Sequence, residues 1–381
     1  MRRYFLFYLA LTLSFFCGCS DPPEPSSNYH EYAYITNGGS NTVTVVDLRA
    51  LRILKTVPVG RSPTGIATNP TKNEIYVANT DSNNISVIDA ETNKVVSIIG
   101  VHRAPYSIDV SRDGKRAYVA NAGSANLSVI DLDQRKVIRT IQVGNGSNLA
   151  KVTPNGKLAL VSLRDEDSVA VVDTETLTLR GKVKTCPKPG TLSVVPDSSK
   201  AFVACTDGIE IGVIDLTGDT PRLLTLLDVG KTPIDVVVKP DGGEVFVCNF
   251  DASSVSEIIT NSNEVNGSFL IGDHPVRALV SPDNSLLFVS NFGSDSVAVY
   301  SIDDGKRIGS ARVGSHPEAM AFSPNQLLLL VVDTVSNDLA VVQLTDRTGQ
   351  PRSGPPFPLE TIVPLGSSPR AIVVKAFVSQ Q

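Results

Sequence analysis

The chain has no tryptophan, two methionines and four histidines in 381 residues, and only 19% of its positions are charged. With so few histidines there is no Cys-x-x-Cys-His and no His-x-x-x-His, so neither covalent haem attachment nor a helical zinc site is written in the sequence. The net charge is −5. The sequence of this acidic chain shows no basic run that would release the counterions of a phosphate backbone, which argues against nucleic acid as the main partner. Gly-x-Ser-x-Gly and phosphate-cradling loops are also missing, as are the paired carboxylates or nucleophile–base spacings of a hydrolase. Beyond residue 19 no apolar run approaches the 20 residues that a membrane-spanning helix requires.

What is present is a repeat. Tyr34-Ile35-Thr36-Asn37, Tyr76-Val77-Ala78-Asn79 and Tyr118-Val119-Ala120-Asn121 are followed by five weaker copies beginning at Leu160, Phe202, Phe246, Phe288 and Leu330, at intervals of 42 residues and once 44. Each copy contains three runs of alternating β-branched and polar residues separated by Asn, Asp, Ser and Gly, as in Ile75–Asn79, Asn84–Asp89 and Lys94–Ile99. This alternation is the period of a strand, and the polar clusters are turns. A fourth strand follows a Gly-x-x-Pro turn, with proline at the entrance because it cannot donate to a ladder. A 40–50-residue period of short strands predicts an all-β fold, a β-propeller of four-stranded blades.

The entrance turns also number eight, centred on Pro63, Pro105, Ser147, Pro189, Pro233, Pro275, Pro317 and Pro369. The last is followed by a lone strand, Ala371 to Val374, and the first three-strand set, Tyr32 to Val57, has no entrance strand. Pairing these two segments closes an eight-bladed ring and satisfies backbone groups that two open edges would leave unpaired. Residues such as Ile66, Ile108, Leu192 and Val236 recur three places after the entrance position and are expected to be core between blades.

The Tyr-Val-Ala-Asn strand, the Val-Ser-Val-Ile-Asp type of strand at Val87–Asp89 and Val129–Asp131, and the Gly-x-x-Pro turn together resemble the YVTN β-propeller repeat proteins of bacterial and archaeal surfaces. The resemblance covers residues 32–377, the expected propeller domain. It would also admit seven blades, whereas both signatures here count to eight. The absence of tryptophan speaks against a quinoprotein dehydrogenase, whose blades resemble this design but are locked by docking tryptophans.

The N-terminus reads as an export signal. Arg2 and Arg3 precede an apolar stretch from Tyr4 to Phe16, and Gly18-Cys19-Ser20 is similar to a bacterial lipobox. The expectation is a lipoprotein signal over residues 1–19, lipid on Cys19, and a proline-rich tether over 20–31. Residues 378–381 are a short tail. Ser20, a residue other than Asp after the cysteine, resembles the outer-membrane sorting pattern. Cys186 sits in an entrance turn and Cys205 ends the neighbouring strand. An exported compartment permits a disulfide between them, with Cys248 left over; three buried free thiols are the alternative.

Entrance turns and the loops after the Tyr-Val-Ala-Asn strand share one rim, where Arg61, Arg103 and Lys231 each stand two places before the entrance proline, with Lys188 and His102 nearby. His274 and His316 occupy equivalent positions in adjacent blades. Such a rim could hold a small anion, and two converging histidines could ligate a metal, although solvated loop charge accounts for the same residues. Asp109 with Lys151, and Asp235 with Arg277, fall at matched positions of consecutive inner strands, predicting ion pairs that pin blades together. No cofactor motif and no catalytic residue is singled out. The sequence therefore points to a monomeric, lipid-anchored binding scaffold of the cell envelope holding a protein, glycan or small anion. The alternative is an enzyme or redox partner of lactonase-like or haem-binding propeller type.

Overall fold

The computed structural model of the chain describes residues 28–345, 350 and 357–379; the signal stretch and Cys19 lie outside the described residues. Thirty-two strands form eight four-stranded antiparallel sheets. In blades 1 to 7 the chain runs outward from an inner strand: Pro63–Thr68, Pro105–Val110, Ser147–Val152, Pro189–Val194, Pro233–Val238, Pro275–Val280 and Pro317–Phe322. Blade 8 combines Tyr29–Asn37, Thr42–Asp47 and Arg52–Pro58 with the C-terminal inner strand Pro369–Val378. Neighbouring inner strands line a central channel all the way round. The fold is the eight-bladed all-β propeller, closed by joining the two ends of the chain.

The closing pair is longer than its sequence suggests. Tyr29 pairs with Val378, His30 with Phe377 and Glu31 with Ala376, so residues 29–31 belong to the blade and not to a tether over 20–31, and Val378 is not tail. The reason is apolar: Tyr32 and Phe377 meet edge to face at 5.6 Å beside His30, and both are buried.

Eight hydrophobic clusters each join two adjacent blades. Most of their fully buried members come from the second and third strands, for example Tyr76, Val77, Ile85 and Val87. The inner-strand layer expected to be core joins them: Ile108, Leu192 and Val236 are buried in inter-blade clusters, and Ile66 packs half-buried against another. The layer is also the inner wall of the ring: Ile66 and Val110 pack on a cluster and still border the channel, because an inner strand has a neighbouring blade on one side and open space on the other.

The repeated asparagine is a latch. Asn79 Nδ2 donates to Asn84 Oδ1 at 2.8 Å and Ser86 Oγ at 2.9 Å, and Asn37, Asn121 and Asn249 make equivalent bonds. The side chain lies over the glycine of the entrance turn: a Cβ on Gly60 would come within 2.6 Å of Asn79, and one on Gly272 within 2.2 Å of Asn291. Those glycines are required by close approach, and the left-handed residue of the turn is another one. It is the residue before the entrance position, including Ser62, Ala104, Lys188, Thr232, His274, His316 and Ser368, with φ near +50°. Several of these strained residues donate their N–H to a side chain of the preceding blade, such as Ser62 to Asn41 Oδ1 at 2.9 Å and His316 to Asp295 Oδ1 at 3.0 Å. That bond offsets the cost of left-handed backbone and registers one blade against the next.

In blade 4 the latch is covalent. Cys186 holds the glycine place and Cys205 the asparagine place, and a disulfide joins them with Cα atoms 5.6 Å apart. Cys248 is free and fully buried, and burial pushes its thiol well above the ordinary range. The proline-rich stretch from Thr345 to Pro358 is described only at its ends and at Gln350, and Phe357 is buried in the same cluster as Phe288 and Val342, between blades 6 and 7.

Candidate ligand-binding funnel and rim

Two cavities occupy the channel. The one on the rim side has a volume of about 570 Å³ and is walled by Tyr106, Ser107, Arg277, Phe292, Glu318 and Arg370 among others. The one below it, about 640 Å³, meets Ile66, Asp109, Arg112, Lys151 and Val373. These residues arrive because a bulge interrupts every inner strand next to its entrance residue, which turns neighbouring side chains toward the axis.

The ion pairs expected between inner strands are present. Arg277 Nη1 lies 3.0 Å from Asp235 Oδ1, and Asp235 Oδ2 accepts the Ala278 N–H at 3.0 Å. Lys151 Nζ stands 3.6 Å from Asp109 Oδ2, which also accepts the Val152 N–H at 2.8 Å. The carboxylates thus cap backbone donors on the free edge of the next blade, as Ser107 does for the Ala150 N–H at 2.8 Å. The pairs are not buried and inert: Arg277 keeps 39% of its side chain exposed to the channel. Asp235, and then Glu318, hold its guanidinium more firmly protonated than usual.

Arg370 is exposed beside Gly38 and, among the described residues, makes no hydrogen bond or ion pair. Tyr106 is 41% exposed at the same mouth. Above it runs an arc of rings: Phe250 meets His274 edge-on at 4.5 Å, Phe292 meets His316 at 4.2 Å, and the two phenyl rings are 6.2 Å apart. Each histidine has Nδ1 engaged, His274 by Asp273 Oδ1 at 2.7 Å and His316 by Ser315 Oγ at 3.0 Å.

The basic rim residues singled out from the sequence stand at the rim but are not gathered into one site. Arg61 Nη2 donates to the Asp81 carbonyl at 2.9 Å, and Arg103 donates from Nε to the Gly123 carbonyl at 3.0 Å, each clamping its own loop. Lys231 pairs with Asp251 at 3.6 Å and Lys188 with Asp165 at 3.3 Å, while His102 Nε2 meets Thr140 Oγ1 at 2.9 Å. Arg61 and Arg103 sit on blades 1 and 2, and Lys231, His274 and His316 on the arc of blades 5 to 7. Among the described residues no three of His, Cys, Asp and Glu gather as metal ligands, and no helix is long and apolar enough to cross a membrane. Arg370, Glu318, Tyr106, Phe250 and Phe292 escaped sequence reasoning. Their signal was available as the residue after each entrance position and after each strand-ending asparagine, where the copies disagree.

Comparison with known proteins agrees with the fold. Residues 68–151 match the YNCE-like β-propeller family and residues 272–355 the lactonase, 7-bladed β-propeller family. No curated protein matches the chain. Among solved structures, Kuenenia stuttgartiensis hydrazine synthase is 21% identical with a TM-score of 0.60, covering 74% of this chain and 95% of its own. A functionally unknown protein from Desulfotomaculum acetoxidans is 20% identical with a TM-score of 0.59, covering 73% and 94%. The dihydro-heme d1 dehydrogenase NirN in complex with DHE is 14% identical with a TM-score of 0.73, covering 90% of this chain and 74% of its own. At these identities the likeness concerns the propeller fold.

Proposed function

We propose that this chain is a ligand-binding propeller of the cell envelope, held by lipid on Cys19, that takes a small anion with a flat apolar part at the rim-side mouth of its channel. The observation that carries the reading is the unpaired Arg370 at a mouth shared with Arg277, Tyr106 and Phe292. Arg277 supplies a guanidinium already oriented by Asp235, so little side-chain order is lost when its outer donors meet a carboxylate or phosphate. The phenyl rings offer a stacking surface next to it. Glu318 sets selectivity by repelling ligands with a second negative charge on that side.

The test is thermal unfolding of the protein with 2-naphthoate as probe and with acetate and inorganic phosphate as controls. Naphthoate at about a hundred times its dissociation constant stabilises by about 2.7 kcal/mol, a shift of a few degrees for a large domain. Arg370→Ala and Phe292→Ala should each abolish most of that shift. No shift with any of the three anions sinks the reading.

One observation favours a second reading, a tetrapyrrole ligand. His274 and His316 both leave Nε2 free while Nδ1 is held, the arrangement that presents an imidazole to iron. A haem bound there would supply redox chemistry, and visible absorbance of the purified protein, lost in His274→Ala or His316→Ala, would decide for it.

A further inference from the structure

The outer edge of the ring is not uniform. On blades 8, 1 and 2 the outermost strands, Arg52–Pro58, Lys94–Gly100 and Lys136–Gln142, contain no acidic residue. Arg52, Lys94, Lys136 and Arg139 are exposed and, among the described residues, unpaired. Between them stand exposed apolar side chains: Ile53, Leu54, Val96, Ile98 and Ile138, with Ile98 at 64%. The three strands are neighbours, and Lys55 Nζ of blade 8 donates to the Thr92 carbonyl of blade 1 at 3.3 Å. The result is a continuous basic and apolar strip. Nearby acids belong to the hairpin turns and are engaged there: Asp47, Asp89 and Asp131 accept N–H bonds of their own turns, and Asp133 pairs with Lys72.

Apolar exposure alone does not single out this side, since Leu270 on blade 5 is 81% exposed. Basic outer strands without an acid also occur on blades 3 and 6, Thr178–Lys184 and Lys306–Arg312, but the blade 3 cations are paired with Asp219, Glu166 and Asp167, and the blade 6 strand exposes no large apolar side chain. Unpaired charge, apolar exposure and connection coincide on blades 8, 1 and 2. The outer strand of blade 5, Glu264–Leu270, has no cation and one acid. Blade 8 also receives the N-terminal segment: Tyr29 opens its first long strand, and its carbonyl accepts a bond from Arg49 Nη1 at 3.3 Å, three residues before the basic strand begins at Arg52. From Cys19 to Tyr29 is ten residues, a chain that reaches about 35 Å at most. A lipid on Cys19 therefore keeps the bilayer within about 35 Å of the start of blade 8, whereas blade 5 stands three places further round the ring.

We infer that the propeller docks edge-on against a bilayer with anionic headgroups through the outer strands of blades 8, 1 and 2. Lysine and arginine there meet the lipid phosphates while Ile53, Leu54, Val96 and Ile98 enter the interface. The inference rests on the lipid anchor proposed above. Edge-on docking leaves the rim and the channel mouth open to the side, free for a soluble ligand.

The experiment uses the full lipidated chain in vesicles of phosphatidylcholine with a minority of phosphatidylglycerol and a doxyl-labelled lipid. A dye is placed at Ile98→Cys or, as control, at Leu270→Cys; the native thiols do not interfere, since Cys186 and Cys205 are bonded and Cys248 is buried. Flotation with the vesicles is read first, and quenching by the doxyl lipid second. Quenching at position 98 several-fold above that at position 270, reduced by Lys94→Glu with Lys136→Glu or by omitting phosphatidylglycerol, supports the docking. Equal quenching in a chain that floats overturns the docking and leaves the anchor standing. A chain that does not float overturns the anchor and the docking together.

Discussion

Asn37, Asn79, Asn121, Asn249 and Asn291 each close the second strand of a blade, and in blade 7 the same place is held by Asp333. Asp333→Asn therefore installs the residue that the neighbouring blades use, and its effect has a definite sign. Asp333 is fully buried, Oδ2 accepts the Gly314 N–H at 3.0 Å, and the Asp338 carboxyl faces it. Burial first, then the Asp338 carboxyl, push the Asp333 pKa from 3.8 to about 9. The folded protein thus keeps a proton through neutral pH that the unfolded chain has released. A raised carboxyl pKa makes the native state lose stability as pH rises from about 4 to about 9, by up to 1.4 kcal/mol per pH unit, or about 4 kcal/mol at pH 7.

Asparagine carries no such proton. Its Nδ2 takes the place of the bound proton and donates to Asp338, as Asn79 Nδ2 does to Asn84 Oδ1 at 2.8 Å. The variant should be more stable than the parent by about 2–4 kcal/mol at pH 7, by more at pH 8, and by less than about 1 kcal/mol at pH 4. Urea unfolding at these three pH values, followed by tyrosine fluorescence, measures it. A gain independent of pH would show that packing and not the proton is responsible, and a loss of stability at pH 7 would refute the whole argument.

Three further outcomes are expected. Cys205→Ala opens a bridge across 19 residues and should cost about 3 kcal/mol in non-reducing urea unfolding; Cys186→Gly with Cys205→Asn, the latch of the other blades, should restore part of that loss, and equal stability of all three proteins would deny the latch any role. Truncation after Gly366 removes the inner strand of blade 8 and its pairing from Tyr29 to Asn37, so the product should lose several kcal/mol and associate through its open edges; a stable monomer by light scattering would contradict this. Cys19→Ala should abolish incorporation of a palmitate analogue while circular dichroism of the propeller stays unchanged, because the blade starts at Tyr29, ten residues later; label retained by the variant ends the lipid assignment.

The ring was legible because one pattern recurs eight times, and recurrence records what most blades need: Tyr76 and its equivalents for the core, Asn79 in five blades for the latch, Gly60 in six for the close approach beneath it. The matched positions of Asp235 and Arg277 could be read in the same way, since they hold the same place in consecutive repeats, 42 residues apart. Physical detail that depends on neighbours in space was not legible. Gly60 looked like a turn glycine, while the left-handed residue is Ser62, held by Asn41 from the previous blade. Arg61 and Arg103 looked like ligand contacts, yet each donates to its own loop, because a carbonyl 20 residues on is brought beside it by the hairpin.

A ring of eight equivalent blades offers every slot eight times, so a ligand that is not itself eightfold must be recognised by the slots whose occupants differ. Phe250 and Phe292 stand where other blades have glycine, threonine, alanine or arginine; Arg370 and Glu318 fill a slot held elsewhere by Thr64, Asn148 or Ile234. The same reasoning isolates Cys186 and Cys205 in the latch of blade 4, Asp333 in that of blade 7, and the unopposed cations Lys94 and Lys136 on one side of the outer edge. Repeat signatures thus report packing, and function in such a chain has to be sought where one copy departs from the rest.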